Sequence, residues 1–312
     1  MLNWNKQGVV FNVKGEYDWN KSHAQVPVID VLKDRYRVYY STRNVNRKSN
    51  ISYIEVAIDN PLNIIYQHNK TLLEFGKLGA FDDSGIMPSS IVNVGNKKYL
   101  YYIGWTTRSS VPYNNAIGLA ISEDGGKTFQ KQFEGPIITI NHIEPYFSGT
   151  SYVVNEDSTF KMWYLSCIEW KNFNGKIEPI YNLKYAESKD GIQWKQTGKV
   201  AVDLQDGEGG LVSASVIKMD GIYKMWFGKR KDSDYRNNVE NTYRIGYAES
   251  KDGIDWVRMD EKAGIDLSEE GWDSEMISYP NVVKKENQLL MFYNGNGFGK
   301  SGFGCATLKI KC

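Results

Sequence analysis

The stretch Tyr-Arg-Val-Tyr-Tyr-Ser at residues 36–41 is the first of five similar segments that together cover the whole chain. The others are Tyr-Leu-Tyr-Tyr-Ile at 99–103, Phe-Lys-Met-Trp-Tyr-Leu at 160–165, Tyr-Lys-Met-Trp-Phe-Gly at 223–228 and Leu-Leu-Met-Phe-Tyr-Asn at 289–294. Their central aromatic residues, Tyr39, Tyr101, Trp163, Trp226 and Phe292, are 62, 62, 63 and 66 positions apart. Such regular spacing indicates an architecture built from repeated units.

Each segment has neighbours of the same kind. A short apolar run and a polar turn, such as Asp220-Gly221, precede it, which is typical of a β-hairpin. A third apolar run follows, and three copies continue with Ser-x-Asp-Gly around Asp124, Asp190 and Asp252. We interpret these carboxylates as structural, because an aspartate can accept backbone N–H groups in a turn where glycine supplies a positive φ. The aromatic residue that follows each of these turns opens a fourth strand. Units of four strands, repeated radially, predict a β-propeller.

The fifth unit ends without a fourth strand, and the N-terminus offers a replacement. Residues 2–9 resemble residues 192–199, which follow the Ser-x-Asp-Gly turn of the third unit. We therefore predict an all-β, five-bladed β-propeller in which the N-terminal strand closes the last blade and removes a free edge. The chain is then a single domain, 1–312, with blades at roughly 22–75, 82–138, 144–203, 208–266 and 273–312 plus 2–11.

The composition excludes several classes of function. A net charge of +1 on 312 residues gives no basic stripe for nucleic acid, and no apolar run is long enough to cross a membrane. The N-terminus has no apolar segment of a secretion signal, and the three cysteines and three histidines have no metal-binding spacing. We expect a cytoplasmic protein with no metal, no cofactor, no nucleic-acid partner and no membrane partner.

Candidate site residues come from the two places where each blade should reach one mouth of the central channel. These are the segment before each first strand and the end of each second strand. The former supply His23, Gln25, Asp82, Asp83, Glu144, Glu208, Asp273 and Glu275; the latter supply Arg43, Trp105, Trp170, Arg230 and Asn294. The predicted mouth of the channel would thus be lined by polar side chains and indole rings. Buried polar groups are costly unless they are hydrogen-bonded, and a polyhydroxylated ligand would supply those hydrogen bonds.

The repeat unit Tyr-Ala-Glu-Ser-Lys-Asp-Gly-Ile-x-Trp and the Asp-Asp-Ser-Gly-Ile-Met-Pro stretch at 82–88 resemble the five-bladed glycosidase superfamily. That superfamily comprises glycoside hydrolase families 32, 43, 62, 68 and 130, and includes arabinanases, invertases and mannoside phosphorylases. The resemblance implies a base or nucleophile from the first blade, an orienting aspartate from the second and an acid from the third. It maps onto Asp83 (or Asp82) in the second blade and Glu144 in the third, whereas the first blade departs, with His23 and Gln25 and no aspartate.

Three ways of completing the chemistry stay open. The second carboxylate could come from Glu208, Asp273 or Glu275, or His23 could act as the base. Alternatively, phosphate could be the nucleophile, with Arg43 and Arg230 holding the anion. The favoured assignment has Glu144 as general acid, Asp83 orienting it, and Glu275 or His23 completing the pair.

We thus expect a carbohydrate-active enzyme that cleaves or transfers a glycosidic bond in the central funnel. Its substrate would be an oligosaccharide or sugar derivative, and the arginines admit an acidic or phosphorylated one. The alternative is a non-catalytic carbohydrate-binding propeller, which the missing aspartate of the first blade supports. A protein-interaction scaffold is the third hypothesis, and it predicts an exposed apolar patch in place of a polar funnel.

Overall fold

The computed structural model describes residues 2–310, and nearly all of its regular structure is β-strand. Met1, Lys311 and Cys312, the ends of the predicted domain, lie outside the described residues. In chain order the strands are β1 (Asn5–Phe11), β2 (Ser22–Val31), β3 (Arg35–Arg43), β4 (Ser49–Ala57), β5 (Ile64–Gln67), β6 (Gly85–Val94), β7 (Lys97–Thr107), β8 (Tyr113–Ser122), β9 (Gln130–Lys131), β10 (Ser148–Glu156), β11 (Thr159–Phe173), β12 (Lys176–Ser188), β13 (Lys195–Val202), β14 (Glu208–Met219), β15 (Ile222–Lys231), β16 (Arg244–Ser250), β17 (Trp256–Arg258), β18 (Ser278–Lys285), β19 (Gln288–Asn294) and β20 (Phe303–Lys309). Short helical turns lie at Val239–Asn241, Asp260–Lys262 and Asn296–Gly299, and no helix in the described part of the chain combines the length and apolarity needed to cross a membrane.

The strands form antiparallel units of four. Strands β2 to β5 and β6 to β9 each make a sheet in sequence order. Strands β10 to β13 and β14 to β17 make two further units, which a single parallel bridge between Tyr181 and Gly210 joins into one larger sheet. The last sheet has the order β1-β20-β19-β18, so the N-terminal strand pairs antiparallel with the C-terminal one.

The first strands of successive units lie beside one another, from β2 through β6, β10, β14 and β18 and back to β2. Short polar side chains connect them. The Thr150 hydroxyl accepts the N–H of Ser213 at 2.9 Å, and the Ser215 hydroxyl accepts the N–H of Val282 at 2.8 Å. These bonds satisfy backbone donors that the strands of one sheet cannot reach.

The repeated central aromatic residues connect neighbouring units at their outer sides. The Tyr39 hydroxyl donates to the carbonyl of Gly126, the Tyr101 hydroxyl to that of Gly191, and the Trp163 indole to that of Gly253, each at 2.8 Å. Each acceptor lies in the Ser-x-Asp-Gly turn of the following unit. The aromatic segment and the turn therefore repeat together because each binds the other across a boundary between units.

The turn aspartates have the structural role that the sequence predicts. Asp190 accepts the N–H groups of Ile192 and Gln193 through one carboxylate oxygen, both at 2.8 Å. Backbone hydrogen bonds of the same kind lower the pKa of Asp252 to about 2. A carboxylate held in this way stays ionised and is fully engaged in the turn.

Candidate functional site

A cavity of about 490 Å³ lies where the first strands of the units begin and the second strands finish. Every unit contributes to its lining. The residues include His23, Gln25 and Arg43 from the first, Trp105 and Asn115 from the second, Phe147 and Tyr181 from the third, Tyr235 and Tyr243 from the fourth, and Tyr279 and Phe298 from the last. Of the predicted site residues, the structure brings His23, Gln25, Arg43 and Trp105 together in this lining.

Aromatic rings form a continuous wall around much of the cavity. The ring centroids of Trp105 and Tyr113 are 4.7 Å apart, those of Tyr113 and Phe147 5.4 Å, and those of Phe147 and Tyr181 6.3 Å. On the far side, Tyr243 packs against Tyr279 with a centroid separation of 6.1 Å. Such a wall is apolar on its ring faces, while its hydroxyl and indole groups can hydrogen-bond at the edges.

Two amide side chains in the lining have oxygens that lack a hydrogen-bond partner. Gln25 is 3% exposed and Asn115 is 5% exposed, and neither side-chain oxygen accepts a bond from any described group. A buried acceptor without a donor costs roughly 1–3 kcal/mol. Both residues line the cavity, so a turn of either side chain would bring its amide oxygen to a hydroxyl group of a bound molecule.

Three arginines give the cavity a positive charge. Arg43, Arg47 and Arg236 all line it. Within the described residues Arg43 forms no ion pair, and burial lowers the pKa of its guanidinium. Arg236, by contrast, is held by the carboxylate of Glu178, which also accepts the Tyr235 hydroxyl at 2.6 Å. The unpaired charge of Arg43 is therefore available to an anion.

His23 lies beside this charge. Burial, together with the nearby Arg43 and Lys300, lowers the pKa of the imidazole to about 4. Its Nδ1 lies 2.8 Å from the Ser22 hydroxyl. At neutral pH the ring is uncharged, so it can donate or accept a hydrogen bond but adds no charge to the cavity.

No carboxylate of the described residues lines the cavity. Asp83 lies at its rim, where one oxygen accepts the hydroxyl of the lining residue Ser84 at 2.7 Å and the other accepts the N–H of Gly79 at 2.9 Å. The bond from Ser84 lowers the pKa of Asp83, which favours the ionised form. The rim position suits a hydrogen-bond acceptor better than a proton donor.

Glu144, the predicted general acid, lies outside the lining and is 1% exposed. Its two oxygens accept the hydroxyls of Tyr164 at 2.7 Å and Ser166 at 2.8 Å, and Lys184 lies 3.7 Å away. The carboxylate thus holds the segment before β10 against β11 and β12. This arrangement leaves no oxygen of Glu144 facing the cavity.

The same arrangement recurs in the other units. Asp82 accepts the Tyr102 hydroxyl at 3.1 Å, and Asp273 accepts the Tyr293 hydroxyl at 2.9 Å; each tyrosine lies 20 residues after its acid. A cation completes each group. The cations are Lys131 for Asp82, Lys6 for Asp273 and Arg258, in a two-pronged pair at 2.6 and 2.7 Å, for Glu208. These acids are therefore spread around the ring and do not converge on a common ligand.

The remaining predicted residues also lie outside the lining. Glu275 is exposed, and Trp170 packs on Tyr113 at a centroid distance of 5.4 Å. The Asn294 amide is used within the fold, since it accepts the N–H of Val26 at 2.7 Å and donates to the carbonyl of Ala24 at 2.6 Å. Arg230 is buried behind the ring of Tyr181. Among residues 2–310 no three His, Cys, Asp or Glu side chains are placed to share a metal ion.

Sequence reasoning missed the lining residues that come from the beginning of the third strands and from the long loop after β15. They are Tyr113, Asn115, Tyr181, Tyr235, Arg236 and Tyr243. A usable signal was present, because a third strand antiparallel to the second must start at the mouth where the second ends. The variable loops between the second and third strands were therefore candidate walls of the cavity.

Comparison with solved structures finds proteins of the same fold that are described as glycoside hydrolases. One protein described as a glycoside hydrolase superposes with a TM-score of 0.74 at 17% identity, covering 100% of this chain and 93% of that one. A thermostable family-43 glycoside hydrolase superposes with a TM-score of 0.67 at 18% identity, covering 92% and 88%. The chain thus shares its nearly all-β fold with proteins described as glycoside hydrolases, which agrees with the resemblance seen in the sequence.

In sequence, the chain is 34% identical over 308 residues to the uncharacterized protein Rv1502 of Mycobacterium tuberculosis, covering 98% of this chain and 99% of that protein. The chain belongs to the same family as this mycobacterial protein. A shorter match, 32% identical over 113 residues, relates it to the 1,2-beta-oligomannan phosphorylase of a Thermoanaerobacter species and covers 36% of this chain and 34% of that enzyme. No protein-family model matches the sequence.

Proposed function

We propose that the five four-stranded units are the blades of one closed β-propeller and that its central cavity binds a saccharide carrying a negatively charged group. The cyclic order of the first strands and the pairing of β1 with β20 support the closed ring. In such a ring the cavity is the funnel on the propeller axis. The protein is then carbohydrate-active, as its structural neighbours are by their descriptions.

One combination of features carries the proposal for the ligand. Arg43, whose guanidinium forms no ion pair among the described residues, lines the same cavity as Gln25 and Asn115, whose amide oxygens have no donor. The guanidinium of Arg43 would bind an anion, and the amide oxygens of Gln25 and Asn115 would accept hydrogen bonds from hydroxyl groups. A sugar with a phosphate or carboxylate group offers both, and its apolar ring face can pack on Trp105 or Tyr113.

The absence of carboxylates from the lining among residues 2–310 bears on the reaction. Hydrolysis by a pair of carboxylates requires two acids flanking the glycosidic bond. The cavity supports phosphorolysis better, in which the bond from the anomeric carbon to the departing oxygen breaks, a bond to an oxygen of hydrogen phosphate forms, and the proton of that phosphate passes to the departing oxygen. A cation such as Arg43 would hold the phosphate, and the partial similarity to an oligomannan phosphorylase agrees with this chemistry.

The same observation favours a second candidate, a carbohydrate-binding propeller without catalysis. A cavity that holds its ligand with arginines, amides and rings needs no acid for binding alone. In the binding protein Arg43 holds the charged group of the saccharide itself, whereas in phosphorolysis it holds the attacking phosphate, and only the second candidate forms a product.

Product analysis with oligosaccharides and sugar-acid glycosides, with and without phosphate, separates them. Phosphate-dependent release of a sugar phosphate supports phosphorolysis. Saturable binding without any product supports the binding protein. Release of free sugar without phosphate, or sugar binding that neither a charged group on the sugar nor added phosphate strengthens, would contradict the proposed anion site. Variant Arg43→Met removes the unpaired charge and leaves the aromatic wall in place, so it should lose the anion-dependent part of the binding.

A further inference from the structure

Arg230 on β15 is a buried cation without a carboxylate partner. It is 2% exposed, and within the described residues no acid lies in ion-pair range of its guanidinium. Its Nη1 and Nη2 donate to the carbonyls of Lys231 at 2.8 Å and Pro179 at 2.7 Å. The guanidinium carbon lies 3.8 Å from the ring centroid of Tyr235 and 4.7 Å from that of Tyr181. A buried charge with no counter-ion is costly, so its position directly behind the cavity wall calls for a reason.

The remaining nitrogen of Arg230 begins a short hydrogen-bond chain. Its Nε donates to the Tyr181 hydroxyl oxygen at 3.0 Å, and the Tyr181 and Tyr243 hydroxyls bond to each other. A guanidinium has only donors, so Tyr181 accepts from it. Within residues 2–310 the Tyr181 proton then has one acceptor, the oxygen of Tyr243. In the orientation in which Tyr181 donates to Tyr243, the proton of Tyr243 is left over, and both tyrosines line the cavity.

We propose that Arg230, Tyr181 and Tyr243 form a polarised relay that presents the Tyr243 O–H to the negatively charged group of the bound saccharide. Tyr243 is then a ligand-binding residue, whereas Arg230 and Tyr181 are positioning residues that act through it. The inference rests on the proposed function, because it takes the ligand to be an anion.

Two physical effects support the relay. A donor bonded to an anion makes a stronger hydrogen bond than one bonded to a neutral group, and each bond in a chain polarises the next. Arg230 thus strengthens the hydrogen bond from Tyr243 to the ligand through the two phenols, although its guanidinium does not contact the ligand. Burial and the neighbouring Tyr181 raise the pKa of Tyr243 well above its usual value, so the proton stays available at neutral pH.

The first test measures anion binding by calorimetry at pH 7, with inorganic phosphate and glucuronate as probes. Variant Tyr243→Phe should weaken binding about tenfold, because it removes a hydrogen bond to a charged group. Variant Tyr181→Phe should weaken it about threefold, since Tyr243 keeps its proton but loses the polarising partner. The matched control is Tyr185→Phe on the same strand, whose hydroxyl bonds to Glu187 away from the cavity. It should bind as wild type does.

The second test observes the relay without a ligand. In protein labelled at the tyrosine Cζ carbon, Tyr181→Phe should shift the NMR signal of Tyr243 and leave that of Tyr185 in place. Arg230→Met should shift both relay tyrosines, and the two phenylalanine variants keep the test decisive if this variant fails to fold. An unmoved Tyr243 signal overturns the relay.

The outcomes separate the two proposals. Anion binding by wild type that is insensitive to Tyr243→Phe overturns the role of the relay and leaves the proposed function standing. Coupled tyrosine signals in a wild-type protein that binds neither probe count against the anionic ligand, and therefore against both.

Discussion

The Lys6 ammonium lies 2.8 Å from a carboxylate oxygen of Asp273, which comes almost a full chain length later. In the second and fourth units the corresponding acids, Asp82 and Glu208, take their cations from their own outer strands, Lys131 of β9 and Arg258 of β17. The strand that contains Lys6 therefore occupies the position of a fourth strand in the last unit. This ion pair ties the two ends of the chain together.

Lys6→Met should lower the free energy of unfolding by about 2 kcal/mol, because it leaves the buried carboxylate of Asp273 without its cation. Denaturant unfolding measures the change. Lys14→Met, at an exposed lysine just beyond β1, is the control and should have little effect. Equal stability of the two variants would show that the pair does not hold the ends together.

Deletion of residues 2–11 should cause aggregation, because it exposes the hydrogen-bonding edge of β20. Size-exclusion chromatography measures the association state. A truncated protein that stays monomeric with an unchanged melting temperature would contradict closure by the N-terminal strand.

Glu144→Gln should destabilise the protein by about 2–3 kcal/mol, because the amide cannot accept both hydroxyls and cannot pair with Lys184. The melting temperature should fall, while ligand binding by the folded fraction stays the same. Glu275→Gln, at an exposed site, should leave stability unchanged. Full stability with abolished turnover would instead return Glu144 to the role of general acid.

Arg43→Met should weaken binding of an anionic sugar at least about tenfold and leave the melting temperature near that of wild type, because a charge-assisted hydrogen bond is lost and no ion pair is broken. Titration calorimetry measures the affinity. Lys33→Met, which removes the same charge at the opposite end of β3, controls for net charge. Similar weakening by both variants would indicate a general electrostatic effect.

His23 should make the folded protein less stable as the pH falls from about 6.5 to about 4. Its pKa is lowered in the folded state, so over this range the unfolded chain takes up a proton that the folded chain does not. Above this window the histidine contributes no pH dependence. His23→Gln should therefore lose less stability than wild type between the two pH values, as measured by thermal melts. Parallel pH profiles for the two proteins would contradict the buried, neutral imidazole.

The relation between sequence and structure is clearest in the repeated segments. The residues that make strands and turns act locally, and their pattern repeats five times, so the segments around Trp163 and Asp190 identified hairpins and turns without any structure. The same repetition indicated that the turn carboxylates are structural. The resemblance of residues 2–11 to an outer strand correctly predicted the pairing of β1.

The hydrogen-bond partners of the acids before the first strands could be identified only from the tertiary structure. Asp82, Glu144 and Asp273 resemble catalytic carboxylates in sequence, but each accepts a tyrosine hydroxyl 20 residues further on. That offset is itself a repeat, and recognising it would have indicated a structural role. The direction in which each side chain points, however, depends on the twist of the sheets and not on the local sequence.

The sequence by itself determined the all-β fold, the repeating unit and the participation of His23, Gln25, Arg43 and Trp105 in the lining, because strand pattern and strand direction are local properties. Only the tertiary structure decided that the cavity has a cationic and aromatic lining and that Arg230 is buried against the ring of Tyr181. The physical reason is that a cavity between units is defined by side chains from distant strands, whose burial and partners follow from how the sheets pack together.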